Sequence, residues 1–357
     1  MTEPLAAGAT IGILGGGQLG RMLSVAAARL GYRTHIYEPL ANPPAGHVAD
    51  RVTTAPYEDL AALAAFAGSV DVITYEFENI PAAALDVLAA QRPVQPNRRA
   101  LTISQDRLIE KAFLSDLGLR TAPFAAVDDE VDLAEAIAEI GCPAILKTRR
   151  LGYDGKGQVR ISAPEDAGAA LAAMAGAPAI LEGFVTFTRE ISVIAARSAS
   201  GEVAAYDPGE NLHGDGILRR TAVPARISNA ERTDAVLIAG RILNALHYVG
   251  VIGVELFVTE AGLVVNEIAP RVHNSGHWTQ NGCAVDQFEQ HIRAITGWPL
   301  GDGSRHADVV MENLIGDDIG RIADLAREGQ TAIHLYGKAD VRPGRKMGHV
   351  NRISPKS

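Results

Sequence analysis

The segment from Lys147 to Gln158, Lys-Thr-Arg-Arg-Leu-Gly-Tyr-Asp-Gly-Lys-Gly-Gln, constrains the fold more than any other stretch of the chain. The preceding Pro143-Ala-Ile-Leu run reads as a strand that ends in Lys147, and glycines follow at 152, 155 and 157. Glycine lets a backbone approach phosphate oxygens closely and turn its N–H groups toward them. A lysine at the strand end adds a point charge for the same anion. In the usual mononucleotide loop the lysine follows the glycines, directly before Ser or Thr and a helix. Here that order is reversed, and Val159-Arg-Ile161 resumes an apolar alternation, so the loop joins two strands. Such a loop is a flap over a nucleotide rather than a helix N-terminus that cradles one. Alone it could be an ordinary glycine-rich hairpin; other segments bear on the choice.

At 357 residues the chain has room for two or three domains. Its 47% hydrophobic and 21% charged content describes a globular protein with ample core. A net charge of −9 argues against nucleic acid or an anionic membrane surface as main partner, so converging basic groups should serve a small anionic ligand. Cys142 and Cys283 match no metal spacing and are expected as two buried free thiols in a reducing compartment. No basic segment precedes an apolar run at the N-terminus, and no run approaches the ~18 apolar residues of a membrane span. A cytoplasmic protein is expected.

The first hundred residues alternate strands and helices. Strands are expected at Thr10–Leu14, Arg33–Glu38 and Asp71–Glu76, and helices at Arg21–Leu30, Leu60–Ala67 and Pro81–Ala90. That alternation implies an α/β, doubly wound (Rossmann-like) parallel sheet over 1–103. A linking helix at Ser104–Gly118 opens a second, small α+β unit over 104–187, which holds the glycine loop and a helix at Pro164–Ala175. A C-terminal α+β unit over 188–357 carries β-rich runs and helices at Ala230–Leu246 and Asp286–Thr296. Trp278 and Trp298 read as core or interface residues. His247, His291, His306 and His334 read as structural or surface histidines.

Gly15-Gly-Gly17-Gln-Leu-Gly20 follows a strand, precedes a helix, and has Glu38 at the end of the next strand. That is the dinucleotide fingerprint, carboxylate included. An NAD-dependent oxidoreductase is therefore one reading, a phosphate of another substrate at the helix terminus a second, and a structural turn a third.

Val251–Val258 and Leu263–Ile268 are apolar strands around Thr259-Glu-Ala-Gly262. A three-residue loop, Glu260 to Gly262, would place Glu255 opposite Glu267, with Phe257 and Val265 on the same face. Opposed Cβ atoms lie roughly 5 Å apart. Two carboxylates so close repel unless one is protonated or a cation lies between them. Oxygen-only ligation of this kind suits magnesium, which commonly takes one or two carboxylates plus nucleotide phosphates. A solvent-facing pair is the alternative.

The flap, the paired glutamates and Asn266-Glu-Ile-Ala-Pro-Arg271 together resemble the ATP-grasp superfamily. Within it, Gly15 to Met22, Tyr75-Glu-Phe-Glu-Asn-Ile-Pro81, Gly152 to Gln158, Arg271-Val-His-Asn-Ser-Gly-His277 and Arg342 to His349 are similar to the N5-carboxyaminoimidazole ribonucleotide synthetase family. The resemblance runs from about residue 10 to 351. It implies an ATP-grasp fold and an ATP-dependent ligase that joins bicarbonate to aminoimidazole ribonucleotide through carboxyphosphate.

By resemblance, Arg107, Lys147 and the flap (Gly152, Tyr153, Asp154, Gly155, Lys156, Gly157, Gln158) hold ATP phosphates. Glu182 and Val185 meet the adenine edge, Glu190 takes the ribose hydroxyls, and His213, Asn266 and Glu267 complete the ATP pocket. Glu255 and Glu267 hold magnesium; position 269 is alanine where wider relatives place a third ligand. Arg271, with His273, Asn274 and Lys147, carries the chemistry. Gly17, Gln18, Leu19, Glu76, Tyr153, Asp154, Arg271 and His273 meet the ribonucleotide, whose 5′-phosphate Lys338 and Arg345 clamp. ATP and Mg2+ are the implied cofactors, without NAD or biotin; a homodimer is expected. A formate-dependent glycinamide ribonucleotide enzyme shares most of this plan, and a catalytically silent nucleotide-binding regulator is a further alternative.

Overall fold

The structure, a computed structural model, describes residues 3–152 and 155–357. Its first layer is a parallel sheet of β1 (Thr10–Leu14), β2 (Arg33–Tyr37), β3 (Arg51–Thr53) and β4 (Val72–Tyr75), in the order β3-β2-β1-β4. Parallel strands carry helices on their faces, which is why β1 and β4 read as unbroken apolar runs rather than alternations. Strand β3 was not foreseen: it is three residues long and partly exposed, too short to show a pattern. The expected helix 21–30 begins earlier, at Gln18, and Gly31 (φ +80°) ends it as anticipated.

The expected linking helix 104–118 is present as Arg107–Asp116, and a further helix, Arg98–Ser104, precedes it unforeseen. Asp106 breaks the run with extended backbone, and its carboxylate accepts from the N–H groups of Leu108 (3.0 Å) and Ile109 (3.4 Å). The cap aims the second helix, with Arg107, Glu110 and Lys111, at the centre of the molecule.

A small antiparallel sheet follows: β5 (Phe124–Val127), β6 (Ala144–Thr148), β7 (Gln158–Ile161) and β8 (Ala179–Gly183), ordered β5-β8-β6-β7. The register Lys147↔Gln158 shows that the glycine loop does join two antiparallel strands. The expected helix 164–175 is a 3-10 turn, Pro164–Asp166, continued by Ala167–Ala173.

The third layer is a larger antiparallel sheet of β9 (Arg189–Arg197), β10 (Val203–Ala205), β11 (Gly209–Gly214), β12 (Ile217–Val223), β13 (Gly250–Thr259), β14 (Gly262–Ala269), β15 (Ala307–Ile315), β16 (Thr331–Leu335) and β17 (Lys346–Pro355). Its order is β14-β13-β9-β11-β12-β15-β17-β16, with β10 added on β9. Helix Asn229–Ala245 covers one face through Ala235, Ala239, Ile242 and Leu243. Helix Gln287–Thr296 packs between this sheet and helix Gln18–Arg29, so one apolar cluster spans the N-terminal layer and the large sheet. Trp278 is core, 1% exposed. Cys283 is buried, but Cys142, expected buried, is only half-buried just before β6; both thiols are free. Among the described residues, no helix is long and apolar enough to cross a membrane.

Candidate active site

The three layers leave a cavity of about 680 Å³ between them. Of the residues singled out in the sequence, Gln18, Glu76, Arg107, Lys147, Gly152, Gly155, Gln158, Glu190, His213, Glu255, Asn266, Glu267, Arg271, His273 and Asn274 line it. Residues from every layer therefore converge on one space.

Glu255 and Glu267 are opposite one another, as expected, but by a different route. The turn holds two residues, Glu260 and Ala261, because Thr259 already pairs with Gly262. A bulge then makes Asn266 the extra residue on β14 and restores the Glu255↔Glu267 pairing. The expected partnership of Phe257 with Val265 is consequently wrong: Phe257 pairs with Val264, while Val265 pairs with Leu256 in the opposite-face core. Lys111, 2% exposed, donates to the bulged Asn266 carbonyl at 2.7 Å.

Burial and the neighbouring Glu267 push Glu255 up to about 7. Burial works the same way on Glu267, but Arg107, bonded to its Oε2 at 3.0 Å, outweighs it and holds that carboxyl low. Glu110, whose Oε1 accepts from the Ile268 N–H at 2.7 Å, is a third carboxyl here, raised to about 8 by burial and by Glu267. Among the described residues no group of three or more His, Cys, Asp or Glu side chains forms a ready metal cage. Two facing carboxylates still fit magnesium that draws its remaining ligands from phosphate and water.

Lys147 Nζ reaches Glu182 at 3.0 Å and Lys111 Nζ reaches the same oxygen at 3.3 Å. These two cations overcome burial and keep Glu182 ionised, while its Oε1 has no partner among the described residues. Glu182 is thus tied up in a buried ion cluster behind the cavity wall. Val185 lies in the loop after β8 and, like Glu182, is not a lining residue. Phe187 and Phe257, stacked at 4.5 Å between ring centroids, line the cavity instead. His213 hydrogen-bonds Glu190, whose charge raises the imidazole pKa against its burial. In the flap, Lys156 and Gly157 are exposed; Tyr153 and Asp154 lie outside the described residues.

The glycine turn has its donors already engaged. Gly17 N–H and Gly20 N–H (2.6 Å) donate to Glu76, and Gly16 N–H donates to Glu38 at 2.7 Å. A Cβ at Gly17 would meet Glu76 Oε1 at 2.6 Å, so a larger residue there would push the Glu76 carboxylate off the turn. With carboxylates on these N–H groups, a dinucleotide pyrophosphate has neither donors nor favourable charge there. The oxidoreductase reading fails at this point. Gln18 and Leu19 still face the cavity from the first turn of the helix.

Arg271 is ion-paired to Glu78 at 2.6 Å, and its buried Nε is without a partner among the described residues. Asn274 and the buried Asn313 exchange amide hydrogen bonds at 3.0 and 2.7 Å, which fixes the Asn274 side chain. Lys338 donates to the Lys346 carbonyl (2.8 Å) and Arg345 to the Asp340 carbonyl (3.0 Å). Neither lines the cavity, whereas Lys346 does. Lys111, Glu110, Glu78, Asn313 and Lys346 were missed from the sequence. The first two follow Arg107 by four and three positions on one helix, a spacing that puts them on its face.

A nucleotide flap, buried lysines behind it and two facing carboxylates define an ATP-grasp enzyme. Residues 112–288 match the ATP-grasp domain family, 8–105 the ribonucleotide synthetase preATP-grasp domain, and 309–357 the phosphoribosylaminoimidazole carboxylase C-terminal domain. The chain is 57% identical to the N5-carboxyaminoimidazole ribonucleotide synthase of Brucella melitensis, over 98% of each chain. It superposes with a TM-score of 0.96 on an N5-carboxyaminoimidazole ribonucleotide synthetase solved with ADP, at 42% identity, covering 100% of this chain and 95% of that one. The Aspergillus clavatus enzyme, solved with ADP and 5-aminoimidazole ribonucleotide, gives a TM-score of 0.92 at 31% identity, covering 98% and 95%. The chain belongs to the N5-carboxyaminoimidazole ribonucleotide synthase family, and it is an ATP-dependent ligase.

Proposed function

We propose that this chain carboxylates 5-aminoimidazole ribonucleotide in purine biosynthesis, using ATP to activate bicarbonate, in the cavity between its three layers. A bicarbonate oxygen attacks the γ-phosphorus and ADP leaves, giving carboxyphosphate. The exocyclic amine of the ribonucleotide then attacks the carboxyl carbon, phosphate leaves, and the nitrogen loses a proton. The facing of Glu255 and Glu267 beside Arg107 and Lys147 carries the residue-level reading. Arg107, Lys147 and the flap hold the phosphates. Magnesium held by the two glutamates would neutralise charge on the transferring phosphoryl group.

Arg271, already charged and with an unpartnered Nε, orients bicarbonate; planar fork geometry suits that anion. Glu190 and His213 take the ribose of ATP. Gln18 and Glu76 meet the ribonucleotide. Carboxyphosphate hydrolyses in open water, so closure of the glycine flap matters as much as any base. The protein is proposed to act as a cytoplasmic homodimer.

Phosphate release from ATP tests the reading. It should require both bicarbonate and aminoimidazole ribonucleotide for full rate. Equal release with glycinamide ribonucleotide and formate would overturn it.

A further inference from the structure

One row of side chains runs across three strands of the large sheet. Glu267 pairs with Glu255, and Glu255 pairs with Ser192 on β9. Above the row sits the loop that follows β14. Gly253, two residues from Glu255 on the same face, leaves space for His273: a Cβ there would meet His273 Cβ at 2.8 Å. Gln287, fully buried, fixes the loop backbone by accepting from the His273 N–H (2.9 Å) and donating to the His273 carbonyl (2.8 Å).

Within this frame the polar groups form a chain. Ser192 Oγ donates to Ser275 Oγ at 2.7 Å, and Ser275 Oγ lies 2.8 Å from His273 Nδ1. The Ser275 backbone N–H also points at Nδ1, at 3.4 Å. A backbone N–H can only donate, so Nδ1 must be the unprotonated nitrogen. The Ser275 hydroxyl, having accepted from Ser192, has its own proton to give to the same atom. The ring proton is thereby left on Nε2, which faces Glu255 Oε1 at 3.5 Å. Both serines are buried, 2% and 1% exposed, so water does not compete for these bonds.

We propose that Ser275, backed by Ser192, is a positioning residue that fixes His273 as the Nε2–H tautomer, so that His273 donates toward the Glu255 carboxylate instead of acting as a base. The inference deepens the proposed role of Glu255 and rests on it. A ligating carboxylate is commonly oriented by a hydrogen-bond partner behind it, and loss of such a partner typically costs 10–100-fold. The sheet row explains why the relay can be rigid: Ser192 and Glu255 are strand neighbours.

The test begins with the unaltered enzyme, free of nucleotide and metal, labelled with 15N-histidine. Long-range 1H–15N spectra separate the two neutral tautomers, and His273→Gln identifies the signal among the ten histidines. His273 should show protonated Nε2 and bare Nδ1; the reverse pattern overturns the proposal while leaving the carboxylation reading intact. Ser275→Ala should then lower kcat about 10–100-fold, with the KM for ATP within about threefold of normal. Unchanged kcat in a Ser275→Ala protein of normal melting temperature would also overturn it.

Discussion

Glu255 and Glu267 stand opposite each other on neighbouring strands, yet their surroundings drive their protonation apart. Burial and its facing partner lift Glu255 to about 7, whereas Arg107 keeps Glu267 anionic. The two facing carboxyls therefore differ in proton affinity, Glu255 being the more readily protonated of the two.

Glu267→Gln is expected to abolish turnover while leaving the protein folded. The change removes one of the two proposed metal carboxylates, a loss of several kcal/mol in transition-state stabilisation. It also removes the like charge facing Glu255, which offsets the weakened hold on Arg107. Steady-state phosphate release and thermal melting would be read together; near-normal turnover at saturating magnesium would sink the metal assignment.

The raised carboxyls set the pH dependence of stability. Glu110 and Glu255 titrate near 8 and 7 in the folded protein, against 4.5 for an ordinary glutamate. Between those values the unfolded chain binds fewer protons than the native one, so stability falls as pH rises. Glu110→Gln keeps an acceptor for the Ile268 N–H and removes the titration. Its melting temperature should therefore decline less than the parent's between pH 5 and about 8, and should exceed it at the upper end. Parallel melting curves across that range check the slope; identical slopes would mean that Glu110 is ionised in the native protein.

How far the sequence discloses this site depends on the range of the contacts. The period-two pattern of β13 and β14 makes the facing glutamates legible. Even so, a three-residue loop with no bulge and a two-residue turn with a bulge at Asn266 predict the same Glu255–Glu267 pair. Only the faces of the residues between turn and bulge, Leu263, Val264 and Val265, tell them apart. Glu182 is a different matter. Its partners Lys111 and Lys147 are 71 and 35 positions away, and nothing local announces that a carboxylate after an apolar strand will be buried between two ammonium groups. The glycine turn shows the opposite limit: its local pattern fits a dinucleotide loop fully, and a contact from Glu76, 59 residues on, cancels that use.

Lys111 should prove structural in a way its neighbours on the helix are not. It is buried against Glu182 and donates to the carbonyl that the bulge at Asn266 leaves outside the ladder. Breaking a buried ion pair by removing one partner typically costs about 3–5 kcal/mol. Lys147 still neutralises Glu182, so the expected cost of Lys111→Met is near the low end of that range. Denaturant unfolding of Lys111→Met, Glu182→Gln and the double variant would measure it. The double variant should lose clearly less than the sum, and strict additivity would contradict the coupling.

The C-terminal basic residues define the last prediction. Lys338 and Arg345 are the proposed clamp on the ribonucleotide 5′-phosphate, but both are engaged with backbone carbonyls, and of the tail's basic residues it is Lys346 that lines the cavity. A clamp of this kind grips a remote, non-reacting part of the ribonucleotide. Its charge-assisted contacts are worth ~1.5–3 kcal/mol each. Arg345→Ala should raise the KM for aminoimidazole ribonucleotide by about one to two orders of magnitude and leave the KM for ATP nearly unchanged. Lys346→Ala should do at least as much, because its side chain already faces the space. Arg345→Lys should recover only part of the loss, since it restores charge without the planar fork. If instead the KM for ATP rises as much as that for the ribonucleotide, the tail belongs to the ATP side, and the ribonucleotide phosphate must be held elsewhere in the cavity.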